Sequence, residues 1–542
     1  MEKSKDLVKA RHGGHPGHPH PGHPHLHPHP HPGEVDVRLE LKYAINKIAT
    51  ALVDGQAQGF DTVNLRSYNG KLVGPVIEAR PGDTLNILLD NQLPMEPHTP
   101  GTDHHSPGFN TTNLHVHGLH VSPAGNSDNV MLEIVPGQQF QYEIKIPRDH
   151  PAGTYWYHPH RHGSVAIQVS NGLAGALIIR GDIDEVPAIK AAREQILVIQ
   201  QIPYVVNEQT KLGQVEPGDL VDGHTVFFPG NWEAMKRRFT INGEVEPTLQ
   251  MRPGEVQRWR FIHAGFRKKL EVKLVRRDPK TGAEEILPQY LIALDGITTG
   301  SIDALEEVEL HPAYRADVLV RATDNAGNAL PEGTYWLVDG TQGASAESRN
   351  LARVVVKGPQ VMMGLPTEME LAPLAPFMDI PVDRDIPVQK VKFELRIDSV
   401  PPMGLINGET FDASKSRKLL LGAEEEWEVS SPTEHEDSDP SHVYFNEGHP
   451  FHIHLNPFQC DIKLKGVGGV KQKRVWKDTI FVEPGQIPVK LRTRYERYVG
   501  MFMLHCHILD HEDFGMMEMI EIVLPGGMNM PGGGGGHGGH LH

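Results

Sequence analysis

The sequence predicts an all-β protein made of three consecutive β-sandwich domains, with His-rich tails at both ends that do not fold. The main evidence is a repeat, because three similar stretches each contain an Asn-Gly turn and recur about every 170 residues. A second similar segment follows in each unit, in the same order; the six segments begin at Tyr68, Gly153, Ile241, Gly333, Ile406 and Gly500. Within each copy, alternating runs such as TLNILLDN and QFQYEIKI are typical of the short strands of a β-sandwich.

The repeats and the breaks between them predict the domain organisation. The strand pattern is interrupted near residues 185 and 365, by IIRGDIDEVP and VVVKGPQVMMGLP. We therefore expect domains at 34–185, 186–365 and 366–525. The segments 1–33 and 526–542 are rich in His, Pro and Gly and have too few apolar side chains to fold. They are interpreted either as tails that capture metal weakly and feed a metal site or as solvated tails without a role.

Composition excludes several classes of protein. The chain has 542 residues and 33 histidines, and its net charge of −17 argues against a nucleic-acid partner. No run approaches the ~20 apolar residues of a membrane helix, so no membrane partner is expected. The two cysteines, Cys460 and Cys506, rule out a disulfide framework. The first residues contain no apolar stretch, so no export signal is visible and the compartment stays open.

Twelve of the 21 histidines outside the tails fall into four motifs, two in the first repeat and two in the third. The motifs are NLHVHGLH, YWYHPHRHG, GHPFHIHLNPF and LHCHILDHEDFGMM, whereas the matching segment of the middle repeat, GTYWLVDG, has no histidine. A His-x-His pair on a strand places both imidazoles on one face, because side chains alternate between faces. Four such pairs supply eight nitrogen ligands, which suits copper, zinc or iron.

Cys506 lies between two of these histidines and is expected to point to the opposite face. A Cys thiolate with His449, His511 and a weak Met516 is the ligand set of a blue-copper electron-transfer site. Met517 is adjacent, but the spacing from His511 favours Met516. The motifs thus predict one mononuclear copper and one cluster, joined through the Cys506 backbone.

These motifs, in this order, resemble those of a three-domain multicopper oxidase of the bacterial laccase type, similar to spore-coat laccases and bilirubin oxidases. The resemblance covers roughly residues 35 to 525. It implies three cupredoxin-like Greek-key sandwiches, with copper ligands in the first and third domains only. It also implies four copper ions, held by His449, Cys506, His511 and Met516 (type 1), His115 and His452 (type 2), His117, His158 and His507 (one type 3 ion), and His160, His454 and His505 (the other).

Two acidic residues are candidates for proton supply, since reducing dioxygen to water consumes protons. Glu512 directly follows a predicted copper ligand and matches an acidic proton donor of the family. Asp128 lies eleven residues beyond His117 and matches an acidic residue near the type 2 copper. His120 and His162 extend their motifs, but the implied ligand set is complete without them.

The resemblance implies an oxidase that couples four one-electron oxidations of a small donor at the type 1 copper to reduction of dioxygen to water at the trinuclear cluster. The expected donors are phenols and aromatic amines, with bilirubin-like pigments as a further candidate. The alternatives are a metal-ion oxidase for Cu(I) or Mn(II) and a copper-sequestering protein. Cuprous oxidases often carry a Met-rich insertion, whereas methionines here group only as MFM, MMEM and MNM. Family members usually act outside the cytoplasm, and a monomer is expected.

Overall fold

The computed structural model describes residues 7–8, 33–53, 55–95, 108–215, 220–221, 224–225, 236–342, 349–434, 439–485 and 487–526. Almost all of the regular structure in these ranges is β-strand, which confirms the predicted all-β class. Among the described residues, no helix is both long and apolar enough to cross a membrane. Apart from Leu7, Val8, Gly33 and Gly526, the His-rich tails lie outside the described residues.

The first domain is a sandwich in which β6, β8, β9 and β4 form one sheet and β2, β3, β5 and β7 belong to the other. Its strands are β1 (Leu7–Val8), β2 (Glu34–Val53), β3 (Gln56–Tyr68), β4 (Val76–Ala79), β5 (Thr84–Asn91), β6 (His115–His117), β7 (Gln139–Lys145), β8 (Gly153–His158) and β9 (Gly175–Ile179). Helix α1 (Val165–Ser170) connects β8 to β9.

The second domain follows a 3-10 turn (Asp182–Glu185) and helix α2 (Pro187–Ala191). Its strands are β10 (Arg193–Val206), β11 (Leu212–Gln214), β12 (Leu220–Val221), β13 (His224–Thr225), β14 (Lys236–Ile241), β15 (Thr248–Met251), β16 (Val256–His263), β17 (Leu270–Arg277), β18 (Glu284–Leu287), β19 (Gln289–Leu294), β20 (Ile297–Leu305), β21 (Val308–Leu310), β22 (Arg315–Arg321), β23 (Gly333–Asp339) and β24 (Asn350–Val356).

The third domain begins after helix α3 (Glu368–Leu371) and a 3-10 turn (Ala372–Leu374). Its strands are β25 (Val388–Arg396), β26 (Met403–Ile406), β27 (Arg417–Leu420), β28 (Glu424–Ser430), β29 (His449–Ile453), β30 (Phe458–Gly466), β31 (Gly469–Lys477), β32 (Thr479–Val482), β33 (Val489–Arg494), β34 (Gly500–Cys506) and β35 (Met517–Val523). One sheet has the order β27-β35-β34-β29-β32, and helix α4 (Leu509–Asp513) lies between β34 and β35.

The Asn-Gly turns have the same local structure in all three domains. Asn69, Asn242 and Asn407 have φ of 54°, 54° and 53°, and the glycine after each also has a positive φ. This backbone conformation is that of a type I′ turn, which Asn-Gly favours. Each Asn side chain accepts a hydrogen bond from a backbone N–H on a neighbouring strand, at 2.7, 2.9 and 2.9 Å. The repeat seen in the sequence is therefore a structural repeat.

The strand β34 separates two environments. Phe502, Leu504 and Cys506 point into the apolar core of the third domain. Met503 and His505 point to the opposite face, where Met503 packs against Val130 of the first domain. This alternation puts the single cysteine of the motif inside a domain and its flanking histidines at the boundary between domains.

Candidate metal centres

The first candidate centre is a fully buried group of His449, Cys506 and His511. The Sγ atom of Cys506 lies 3.5 Å from Nδ1 of His449 and 3.8 Å from Nδ1 of His511. The two Nδ1 atoms are 3.2 Å apart. One sulfur and two ring nitrogens thus converge on a common point, although strand β29, the end of β34 and helix α4 supply them separately.

The structure places Met516, which the sequence spacing favours, and the adjacent Met517 in different surroundings. Met516 is fully buried in the third-domain core together with Cys506. Met517 instead packs with Met503 and Met519 on the other face of the sheet. The backbone N–H of Cys506 also donates to the carbonyl of Met516 at 3.1 Å. Met516 is therefore the methionine placed beside the sulfur site.

The second candidate centre is a cluster of eight histidines between the first and third domains. All are at most 2 % exposed, and they are His115, His117, His158, His160, His452, His454, His505 and His507. Strands β6 and β8 and the turn after β8 supply four of them, and strands β29 and β34, each with the residue that follows it, supply the others. The four motifs, which lie far apart in sequence, therefore meet in one buried place.

Three of these histidines converge through their Nε2 atoms. The Nε2 atom of His160 lies 3.1 Å from those of His454 and His505, and the latter two are 3.3 Å apart. Neutral imidazoles that direct lone pairs at one another repel unless a cation lies between them. This triangle is one of the type 3 ligand sets that the resemblance implied.

The remaining five histidines surround the adjacent space. The His115, His117 and His158 ring nitrogens approach one another, as do those of His115, His452 and His454. The His507 ring centroid lies 5.1 Å from that of His117 and 5.4 Å from that of His158. His115 therefore contacts both the first-domain and the third-domain histidines.

The nitrogen atoms that face this space fit a metal. Buried ring nitrogens without a hydrogen-bond partner include Nε2 of His115, His158 and His452, Nδ1 of His117 and both nitrogens of His507. Buried polar atoms without partners are costly, so several of them around one space fit a cation-binding site. Burial, followed by neighbouring imidazoles, lowers the pKa of His158 to about 3, which leaves a neutral ring able to bind a metal.

Glu512 lies beside the Nε2 triangle. Its carboxylate oxygens lie 3.0 Å from Nδ1 of His505 and 3.3 Å from Nδ1 of His160. Burial opposes ionisation of this carboxyl, but the two imidazoles outweigh it and lower its pKa to about 2. Carboxylates on the outer nitrogen of a ligating histidine fix the ring so that the other nitrogen faces the metal.

Asp128 occupies the same position relative to His115. Both carboxylate oxygens lie 3.0 Å from Nδ1 of His115, and the N–H of Val116 donates to one of them at 3.0 Å. Burial raises the pKa of Asp128 to about 8. Both acidic residues selected from the sequence thus contact histidines of the cluster.

Asp478 is a cluster neighbour that sequence reasoning missed. Its Oδ1 atom lies 3.3 Å from Nε2 of His117, and its backbone carbonyl accepts from Nδ1 of His452 at 2.8 Å. Arg315 of the second domain donates to both carboxylate oxygens, at 2.8 and 2.5 Å. No spacing signal marks this residue, because the partners of its carboxylate, Arg315 and His117, lie 163 and 361 positions away along the chain.

Glu447 was also missed, although it lies two residues before His449. Its Oε1 atom is 3.0 Å from Nε2 of His511, and its side chain is 22 % exposed. Arg267 of the second domain donates to both oxygens of Glu447 and also pairs with Asp510. His511 and Glu447 therefore lie between Cys506 and the protein surface.

The histidines that were set aside have other contacts. Nδ1 of His120 lies 2.9 Å from the carbonyl of Leu455, and the His162 ring packs edge-on against Phe411 at 5.2 Å. Cys460 is buried, and burial raises the pKa of its thiol to about 12, consistent with an inert apolar filler.

Comparison with known proteins identifies the family. Two family models, both described as multicopper oxidase, match residues 53–183 and 386–523. These two stretches contain all of the histidines of both centres, together with Cys506 and Met516. The chain belongs to the multicopper oxidase family. It is accordingly a copper-binding oxidoreductase, and the residues assembled above fit that metal, since imidazole, thiolate and thioether are all copper ligands.

Relatives and solved structures cover most of this multicopper oxidase. The multicopper oxidase mco of Staphylococcus aureus is 27% identical over 85% of this chain and 84% of its own length. A laccase of Bacillus stratosphericus is 24% identical over 85% and 91%. The crystal structure of a laccase from Pediococcus acidilactici has a TM-score of 0.65 at 25% identity and covers 90% of each chain. A Campylobacter jejuni multicopper oxidase, described as a metallo-oxidase, has a TM-score of 0.62 at 25% identity, over 90% and 91%.

Proposed function

We propose that this multicopper oxidase is laccase-like and takes electrons one at a time from phenols or aromatic amines. Copper in the two centres would supply one-electron oxidation of the donor at one site and four-electron reduction of dioxygen to water at the other. The observation that carries the proposal is the placement of Cys506 between His505 and His507 at the end of β34. Adjacent residues on opposite faces of β34 give the shortest covalent connection between the two centres.

The proposed ligand sets are those that the family resemblance implies, and two convergent groups support them: His449, Cys506 and His511, and the Nε2 atoms of His160, His454 and His505. The type 1 set is His449, Cys506, His511 and Met516, and the type 2 set is His115 and His452. The type 3 sets are His117, His158 and His507 for one ion and His160, His454 and His505 for the other. This assignment requires four copper ions per chain.

Electrons are proposed to enter through the edge of His511. Its Nδ1 faces the sulfur of Cys506, whereas its Nε2 faces the partly exposed Glu447. A donor that contacts Glu447 is therefore separated from the ring of His511 only by the Glu447 carboxylate. Because the hydroxyl of a phenol can donate a hydrogen bond to this carboxylate, Glu447 can hold the proton that leaves the donor on oxidation.

Proton supply is proposed to use Glu512 and Asp128. Each carboxylate touches the outer nitrogen of a cluster histidine and is buried, so bulk water reaches neither side chain directly. Glu512 would pass protons at its Oε1 and Oε2 atoms towards the side of the cluster that holds His160 and His505. Asp128 would do the same at the His115 side.

A metal-ion oxidase for Cu(I) or Mn(II) is the second candidate, because the group at the His511 edge is a carboxylate. A cation would pair with Glu447, particularly if it displaced Arg267. Sequestration of copper is the third possibility considered, but storage needs no thiolate centre joined to a histidine cluster.

The test is oxygen uptake by copper-loaded protein with a phenol, an aromatic amine, bilirubin, Cu(I) and Mn(II) in parallel. Each donor is also offered to Glu447→Gln, which keeps the shape but removes the charge, and to a chain lacking residues 1–33. A laccase-like enzyme should oxidise the phenol fastest and should still do so without the tail. Metal-ion oxidation that exceeds phenol oxidation and falls at least about tenfold in Glu447→Gln would replace the proposal with the second candidate. No uptake despite full copper loading would favour sequestration.

A further inference from the structure

Two of the short methionine groupings in the sequence lie opposite each other on paired strands. Met503 of β34 is directly opposite Met519 of β35, and His505 is directly opposite Met517. Residues that are opposite in an antiparallel pair share a face of the sheet, with Cβ atoms about 5 Å apart. The thioethers therefore form a ladder that ends at a histidine of the cluster.

The ladder lies on the face of the sheet that meets the first domain. Met503, Met517 and Met519 are only 2–3 % exposed and pack together with Val130. Leu or Ile would fill such a space equally well, and the opposite face of the same strands is indeed filled by Phe502, Leu504 and Ile520. The three thioethers are thus concentrated on the face that carries His505.

Exposed methionines lie near the end of the ladder that is farther from His505. Met501, two residues before Met503 on the same face, is 48 % exposed, and Met131 next to Val130 is 41 % exposed. A cavity of about 340 Å³ lies against β35 and is lined by residues that include Met517 and Met519 together with the acidic residues Glu409 and Asp412. Soft and acidic groups therefore lead from the surface to the buried thioethers.

We propose that Met503, Met517 and Met519 bind a cuprous ion and pass it to His505, so that the ladder loads copper into the histidine cluster. Thioether sulfur selects Cu(I) over harder cations. The transfer is a ligand exchange without change of oxidation state, in which imidazole nitrogen of His505 replaces thioether sulfur. His505 then shares the ion with His160 and His454, whose Nε2 atoms lie 3.1 and 3.3 Å away.

The need for such a route follows from burial. The eight histidines of the cluster are at most 2 % exposed, so they do not face bulk solvent directly in the folded chain. A chain of ligands of intermediate strength lets the ion lose its water at the surface and reach the interior without crossing an apolar layer uncoordinated.

Silver tests the binding step, because Ag(I) is as soft as Cu(I) and is not oxidised by the enzyme. Fully copper-loaded protein is titrated with Ag(I), and the ligands are identified by X-ray absorption at the silver edge. We expect one tightly bound silver ion per chain with sulfur ligands. The double variant Met503→Leu/Met519→Leu, which conserves volume, should bind silver at least about tenfold more weakly. The matched control Met362→Leu/Met369→Leu/Met378→Leu removes exposed methionines and should bind it normally.

The loading step is measured on copper-free protein supplied with Cu(I) under anaerobic conditions. The double variant should fill its histidine cluster at least about tenfold more slowly than wild type but reach the same final copper content. If the double variant does not fold, Met503→Leu and Met519→Leu are measured singly, and each should weaken silver binding. Unchanged silver binding, silver without sulfur ligands, or wild-type loading rates in the variants would overturn the proposal. None of these measurements depends on turnover, so they stand apart from the proposed substrate.

Discussion

Cys506 belongs to one centre through its side chain and to the other through its neighbours. Its sulfur faces the third-domain core with Met516, and the backbone on either side carries His505 and His507 into the domain boundary. Strand alternation alone predicts this arrangement, so the sequence was sufficient at this position. It was not sufficient for Asp478 and Glu447, whose roles depend on Arg315 and Arg267 of another domain.

The carboxylate of Glu512 is expected to supply protons to the histidine cluster. Glu512→Gln keeps a polar group beside His505 and His160 but cannot hold and release a proton as a carboxylate does. We expect oxygen consumption to fall about 100-fold while anaerobic reduction of the Cys506 centre by the donor keeps its wild-type rate. The two rates are measured by oxygen uptake and by bleaching of the type 1 absorption.

The control for this variant is Glu518→Gln. Glu518 lies on β35 and pairs with Arg417 away from the cluster, so both rates should be unchanged. A Glu512→Gln enzyme that consumes oxygen as fast as wild type would refute a role for this carboxylate in proton supply.

Short helices connect the first and third domains, which contain the proposed copper ligands. Helix α4 carries His511 and Glu512 and ends at Asp513. The Asp513 carboxylate accepts hydrogen bonds from the backbone N–H groups of Gly163, Val165 and Ala166, at 2.7, 3.2 and 2.8 Å. These groups lie at the start of α1, where N–H groups have no partner within the helix. Sequence patterns located α4 next to the ligands but gave no sign that its last residue caps a helix of another domain.

Asp513→Ala should therefore weaken the contact between the first and third domains. The substitution leaves buried N–H groups without an acceptor, and we expect it to lower the free energy of unfolding by about 1–3 kcal/mol. Denaturant unfolding of the copper-loaded protein measures the loss. Asp513→Asn, which retains one acceptor oxygen, should lose less, and equal stability of the alanine variant and wild type would contradict the capping role.

The middle domain makes buried charged contacts with the other two domains, although none of the proposed copper ligands lies in it. Asp317 accepts hydrogen bonds from Arg258 at 2.6 Å, from Arg260 at 2.8 Å and from Thr154 of the first domain at 2.5 Å. Together with Arg315 and Arg267, these contacts join the middle domain to both copper-bearing domains through buried charges. The sequence predicted three repeats from their turns, but interfaces between repeats depend on single charged residues that no periodicity marks.

Asp317→Ala is expected to destabilise the folded protein. It removes one carboxylate from a buried network in which Arg258 and Arg260 still pair with Asp184 and Arg260 also pairs with Glu194. We therefore expect a loss of about 1.5–3 kcal/mol of unfolding free energy, the cost of lost hydrogen bonds to charged groups. The exposed pair of Asp461 and Arg474 provides the control, since Asp461→Ala should cost at most about 1 kcal/mol. Similar losses in the two variants, compared by chemical denaturation, would show that the buried network does not stabilise the assembly of domains.

Copper content most directly tests the central claim that one strand joins a thiolate site to a separate histidine cluster. Wild-type protein reconstituted with copper and freed of excess metal should retain four copper ions per chain. Cys506→Ser should retain three, with the type 1 absorption absent and the signals of the cluster preserved. A wild-type content below four, or a Cys506→Ser variant that loses the cluster as well or keeps all four ions, would contradict the account.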